Sequence, residues 1–308
     1  MNKTNDDGRS ARFTQTRRGH LTALLAATAG GCLMGRIGLA ATEPAETIEA
    51  AFAALEARAG GRLGVAVVDT ATGARAGWRA DERFAMCSTF KLLLAALILK
   101  QVDEGAERLD RAIAVTAADL TPHAPVTEKR VGGTMTVGEL CQATITTSDN
   151  PAANLLLGAC GGPPAVTAFV RTLGDEITRL DRVEPAMNNQ AVAEGDLRDT
   201  TSPAAMAATM AAILLDGALT PASRETLTGW LKATETGPDR LRAGLPAGWA
   251  IGHKTGTGED GPTNDIAIVW PPGRAPLMVA AYYDRKGRTM KENATVLAEV
   301  GRIVGAMG

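Results

Sequence analysis

The sequence has 308 residues, 45% of them hydrophobic and 21% charged, with a formal net charge of −2. That is enough apolar material for one large domain or two subdomains. Near-balanced charge, aromatics at 4% and no long basic run beyond the first twenty residues argue against a nucleic-acid partner.

Residues 1–41 read as an export signal outside the fold. Thr16-Arg17-Arg18-Gly19-His20-Leu21 sets an arginine pair before a weakly apolar run, residues 21–39, and the small residues Gly38-Leu39-Ala40-Ala41 follow. The pair points to the twin-arginine route, hence to a periplasmic or secreted protein with no membrane attachment after signal removal. A membrane anchor is the weaker alternative, because the run carries Arg36, is rich in Gly, Ala and Thr, and is short for a span. Of four cysteines, Cys32 leaves with the signal, and the odd remainder, Cys87, Cys141 and Cys160, implies at least one free thiol. His20, His123 and His253 show no metal-ligand spacing, so no zinc site is expected.

Spacing predicts a helix over residues 42–59, capped by Thr42, with Ile48, Ala51, Phe52 and Leu55 as its apolar stripe. Strands over 63–69 and 74–79, around Thr70-Ala71-Thr72-Gly73, make a hairpin. Helical spacing then recurs over 88–104, 137–147, 150–159, 163–173, 203–215 and 222–232. Strands return over 249–254, 265–270 and 277–284, before an amphipathic helix over 291–307. The fold class is α/β of the α+β type: a five-stranded antiparallel sheet flanked by N- and C-terminal helices, with an inserted all-helical domain. Residues 42–85 and 233–308 form the sheet domain, and 86–232 the helical one.

One stretch organises the chemistry: Cys87-Ser88-Thr89-Phe90-Lys91, followed by an apolar helical run. Positions i and i+3 share a helix face, so the Ser88 hydroxyl and the Lys91 amine can meet across one turn at a helix start. This suits a nucleophilic serine beside a base. Chance supplies on the order of one such pair in a chain this long, so a polar helix start is the bland reading. Four further stretches each have a bland reading too: Ser148-Asp149-Asn150 as a helix cap before Pro151, the loop from Arg182 through Glu184-Pro185-Ala186-Met187-Asn188 to Asp199 as solvated, Lys254-Thr255-Gly256-Thr257 as an edge strand, and His123 as an exposed loop residue.

Together these motifs, in this order, resemble the class A serine β-lactamases. Pro125-Val126-Thr127-Glu128-Lys129, Ala204-Ala205-Met206 and Leu245-Pro246-Ala247-Gly248-Trp249 extend the resemblance over essentially the whole mature chain. Only five serines occur in the chain, and Ser88 and Ser148 are two of them. The resemblance implies a β-lactamase/transpeptidase-like fold, β-lactam substrates and a monomer. It implies that Ser88 forms an acyl-enzyme, with Lys91 or Glu184 as the acylation base. It gives the oxyanion hole to the backbones of Ser88 and Thr257, and proton relay to Ser148. Asn150 would hold the substrate's side-chain amide, Lys254 and Thr255 would bind its carboxylate, and Gly256 and Thr257 would also bind substrate. Glu184, with Asn188, would activate the hydrolytic water. Penicillin-binding D,D-peptidases share Ser-x-x-Lys but lack that glutamate; they and a non-hydrolytic sensor are the alternatives.

The chain also departs from the family pattern. An arginine common at the start of the strand after Lys-Thr-Gly is expected here to be replaced by Pro276, with Arg240 supplying the charge instead. The loop over 182–199 is two residues longer, and Arg182 with Asp199, rather than Asp196, should close it. Cys141 and Cys87 each match half of a family disulfide, but Ala95 and Gly258 hold the partner places, so three free buried thiols are expected. His123 would form a wall of the site. The Thr257 hydroxyl would favour cephalosporins or carbapenems.

Overall fold

The computed structural model describes residues 47–188 and 195–307. The Thr47 hydroxyl accepts from the Ala50 N–H at 3.2 Å and caps α1 (Ile48–Ala59), which Gly60 ends at φ 69°. The cap expected at Thr42 lies outside the described residues. β1 (Arg62–Asp69) and β2 (Arg75–Trp78) form the expected hairpin. β3 (Phe84–Ala85) leads into a 3₁₀ turn, Cys87–Thr89, and then α2 (Phe90–Asp103). β4 (Ala112–Ala114) pairs with β5 (Thr134–Thr136), and α3 (Val137–Thr146), α4 (Asn150–Cys160) and α5 (Pro163–Thr172) follow. β6 (Thr200–Thr201) pairs back to β3 ahead of α6 (Pro203–Leu214), α7 (Pro221–Lys232) and the short α8 (Leu241–Gly244). β7 (Ala250–Thr257), β8 (Thr263–Trp270), β9 (Leu277–Asp284) and α9 (Met290–Gly305) complete the chain.

Five strands form one antiparallel sheet in the order β2-β1-β9-β8-β7. Successive strand residues point to opposite faces. Val65, Val67, Val279 and Ala281 pack under α1 and α9 with Phe52, Leu55, Leu297 and Val300. Ala66, Ile266, Ile268, Met278, Ala280 and Tyr282 face the helices on the other side. α2 sits at the centre of that helical layer: Leu92, Leu93, Leu94, Ala95, Ala96, Ile98 and Leu99 are all fully buried. A helix apolar all round is a buried one. At about 2 kcal/mol per large aliphatic side chain buried, α2 makes a firm mount for the serine turn at its head.

β8 begins at Thr263, directly opposite Thr257. The start of the strand after Lys-Thr-Gly is therefore Thr263, not Pro276, which precedes β9. The polar opening Thr263-Asn264-Asp265 carries no strand signal, and this misplaced the position in the sequence. The two-stranded ladders and α8 were too short to leave a periodic signal.

Candidate active site

The serine turn is bent before it is helical. Cys87 is buried at φ 46°, a left-handed conformation unusual for a side-chain-bearing residue, and it hands the chain to Ser88. Across the cleft Ser148 is also left-handed, at φ 62°. Asp149 anchors that loop: its carboxylate accepts from the Val126 and Thr127 N–H groups at 3.0 Å, from the Thr127 hydroxyl at 2.9 Å and from the Ala152 N–H at 2.9 Å. The motif's middle residue is thus both the helix cap of α4 and a clamp on a neighbouring loop.

The predicted catalytic residues converge. The Ser88 hydroxyl lies 3.2 Å from Glu184 Oε1, and Lys91 Nζ lies 3.1 Å from the same oxygen. Lys91 also donates to the Ser148 carbonyl at 2.8 Å and to Asn150 Oδ1 at 2.5 Å. Lys254 Nζ donates to the Ser148 hydroxyl at 3.0 Å and to the Thr255 carbonyl at 2.8 Å. Ser148 is therefore shared between the two lysines. Burial holds Lys91 below the usual lysine range against the opposing pull of Glu184. Lys254 is pulled further down, by burial first and then by the positive charges of Lys91 and Arg240.

Glu184 is 2% exposed and held on several sides. Its N–H donates to Asn154 Oδ1 at 3.0 Å, and its carbonyl accepts from Asn154 Nδ2 at 2.9 Å. Asn188 Nδ2 donates to Glu184 Oε2. Asn188 Oδ1 is buried and has no partner among the described residues. Arg182 Nε meets Asp199 Oδ2 at 2.5 Å, closing the loop as expected, while Asp196 pairs with Arg198. Residues 191–194 of the longer loop lie outside the described residues. Cys87, Cys141 and Cys160 are free and buried.

Gly256 explains its own identity: a Cβ there would stand 2.7 Å from the Met86 carbonyl, so only glycine lets β7 lie against the serine turn. Arg240, 4% exposed, donates to the Gly256 carbonyl at 2.9 Å, the Asn264 carbonyl at 2.7 Å and the Thr257 hydroxyl at 2.7 Å. The Thr257 oxygen accepts from Arg240, which leaves its own O–H to donate into the cleft. Thr255 and Thr236 share a hydroxyl bond of 2.6 Å. His123, at φ 65°, is pinned by its Nε2 to the Thr147 carbonyl at 2.8 Å, and its own carbonyl accepts from Asn150 N–H. The cleft these residues line holds about 400 Å³, and Met290 stands at it as well.

Asn154, Thr236 and Met290 escaped the sequence reading. Asn154 lies one helical turn beyond Asn150, a spacing that could have flagged it. Thr236 and Met290 reach the cleft through tertiary folding and leave no local pattern.

A buried serine hydroxyl bonded to a carboxylate that a lysine shares, with a second lysine bonded to the Ser148 hydroxyl across the cleft, assembles the residue types that nucleophilic catalysis needs. The chain belongs to the β-lactamase enzyme family, whose model matches residues 45–307. It is 52% identical over 265 residues to β-lactamase L2 of Stenotrophomonas maltophilia, covering 86% of this chain and 87% of that one. It is 46% identical over 260 residues to β-lactamase CTX-M-8 of Citrobacter amalonaticus, covering 84% and 89%. Among solved structures, an ancestral class A β-lactamase superposes with a TM-score of 0.83 at 59% identity, covering 85% of this chain and 100% of that one. A β-lactamase from Xanthomonas campestris gives 0.82 at 51% identity, covering 84% and 96%.

Proposed function

We propose that this protein hydrolyses the β-lactam ring of penicillins and cephalosporins through an acyl-enzyme on Ser88, giving its host resistance to them. The observation that carries the reading is the position of Glu184, bonded to Ser88 and Lys91 through one oxygen and held by Asn188 at the other.

Ser88 Oγ attacks the lactam carbonyl, and its proton passes to Glu184 or Lys91, which touch each other. The backbone N–H groups of Ser88 and Thr257 take the oxyanion. Ser148, bonded to both lysines, returns a proton to the leaving nitrogen. Lys254, Thr255, Gly256 and Thr257 bind the substrate carboxylate, with Arg240 behind Thr257 adding positive charge. Asn150 gives one N–H to the Pro122 carbonyl, which leaves its second for the substrate's amide. His123 walls that side. Glu184, with the carboxamide of Asn188, then orients and deprotonates the water that releases the acyl group. The D,D-peptidase and sensor readings are not favoured, since the curated relatives are named β-lactamases.

Excess chromogenic cephalosporin added to pure protein should show sustained turnover; a stoichiometric burst that stops would sink the reading. Glu184→Ala should accumulate acyl-enzyme by intact mass. We further propose twin-arginine export to the periplasm or medium, on the strength of Arg17-Arg18 ahead of the apolar run, and action as a monomer, on the strength of the resemblance to the class A enzymes. Cell fractionation of an Arg17→Lys/Arg18→Lys variant, and the native mass of the exported protein, test these points.

A further inference from the structure

We infer that His253 and Asp265 form a buried positioning pair for the carboxylate-binding end of the cleft, acting on it through Arg240. This rests on the role proposed for Arg240 and extends it to two residues behind the site. His253 Nδ1 lies 2.9 and 3.1 Å from the two Asp265 oxygens, and the residues are 1% and 0% exposed. With acceptors on that side, Nδ1 carries the hydrogen. His253 Nε2 is buried with no partner among the described residues, which suits a lone pair better than an N–H, since orphaned donors are the rarer case.

Asp265 Oδ2 accepts the N–H of Leu241 at 3.2 Å. Leu241 opens α8 and directly follows Arg240, so this bond fixes the backbone where the guanidinium leaves it. Arg240 then reaches Gly256 and Thr257, the end of β7 that faces the cleft, and Asn264 opposite Gly256 on β8. Thr234 donates its hydroxyl to the His253 carbonyl at 2.7 Å, tying the segment that leads to Arg240 back onto the same strand. Asp265 stands opposite Thr255 across the β7–β8 ladder and is an anion acting on both Arg240 and Lys254. A buried carboxylate free to rotate would release Leu241. The imidazole N–H, bonded to both oxygens, holds it in the orientation that Arg240 requires.

The test is steady-state kinetics on a chromogenic cephalosporin for His253→Ala, His253→Asn and Arg240→Ala, with the double variants. His253→Ala should raise KM about tenfold, the scale of one hydrogen bond to a charged group, with kcat held within about twofold. His253→Asn can place an amide N–H where Nδ1–H stands, and should restore KM. In the Arg240→Ala background His253→Ala should add nothing. Failure of Asn to rescue, kcat and KM moving together, or full additivity with Arg240→Ala each overturns the inference. If Arg240→Ala alone leaves KM unchanged, the carboxylate role of Arg240 has failed, and the inference with it. Should His253→Ala not yield soluble protein, His253→Asn is compared with His253→Gln, whose longer side chain puts its amide off the Nδ1 position: equal KM values for the two overturn the pairing, and a raised KM for Gln alone supports it.

Discussion

Asn154 grips the backbone of Glu184 from both directions, accepting its N–H at 3.0 Å and donating to its carbonyl at 2.9 Å. A helix side chain thereby replaces the ladder partner that an irregular loop lacks. Asn154→Ala removes both bonds at once and leaves a buried N–H and carbonyl unpaired. Deacylation should slow about 10²-fold or more, the scale of a misplaced general base, while acylation changes less. Rapid-quench intact mass should then show acyl-enzyme in the steady state, and an unchanged acyl fraction would refute the role.

The lysines set the alkaline limit. Lys254 is held well below 10.5 by burial and by Lys91 and Arg240. Its charge, and with it the grip on a substrate carboxylate, should be lost at a pH below the ordinary lysine value. KM should therefore rise on the alkaline side before pH 10.5 is reached. For stability the sign is opposite. The unfolded chain binds the Lys254 proton more tightly, so this residue's contribution to stability rises with pH from its folded value up to 10.5. Lys254→Arg, which stays charged, should move the KM limb to higher pH; a limb that stays put assigns it to another group.

Asp199 carries the loop closure. It is 1% exposed at φ 54°, and it accepts from the Asp181 and Arg182 N–H groups and from Arg182 Nε. Asp199→Ala should cost about 3 kcal/mol by orphaning Arg182, lowering Tm by on the order of 5–10 °C. Asp199→Asn tolerates the left-handed backbone and keeps an acceptor, so calorimetry should find it closer to the parent. A larger loss in Asn than in Ala would contradict this ordering.

Gly256→Ala presses a methyl group against the Met86 carbonyl at 2.7 Å and against Thr89. β7 must then draw away from the serine turn, taking the Thr257 N–H out of the oxyanion-binding position proposed for it. Loss of one such donor costs about 10²–10³ in kcat. Stopped-flow acylation rates should fall by that order while far-UV circular dichroism is unchanged.

The sequence was most informative where function fixes residue type within a few positions. Ser88 and Lys91 come together through a shared Glu184 oxygen, with Ser88 in the 3₁₀ turn ahead of α2, and Lys254 through Thr257 stand on β7. The capped helices and the central strands were legible because burial imposes a period. Pro276 was misplaced because Thr263-Asn264-Asp265 is a strand opening with polar side chains, paired only through tertiary contacts. Thr236 and the His253–Asp265 pair were invisible for a related reason: each acts through a tertiary contact and sits in no local pattern, whereas Asn154 was marked only by its one-turn spacing from Asn150.

The cleft holds Lys254 fully buried, bonded to a hydroxyl and a carbonyl and repelled by two neighbouring cations. Folding and catalysis therefore make opposite demands at this one position. Selection for thermal tolerance alone would favour an apolar residue there, and selection by antibiotic would restore the lysine, so resistance in this lineage is maintained against a standing pull toward a sturdier, inert protein.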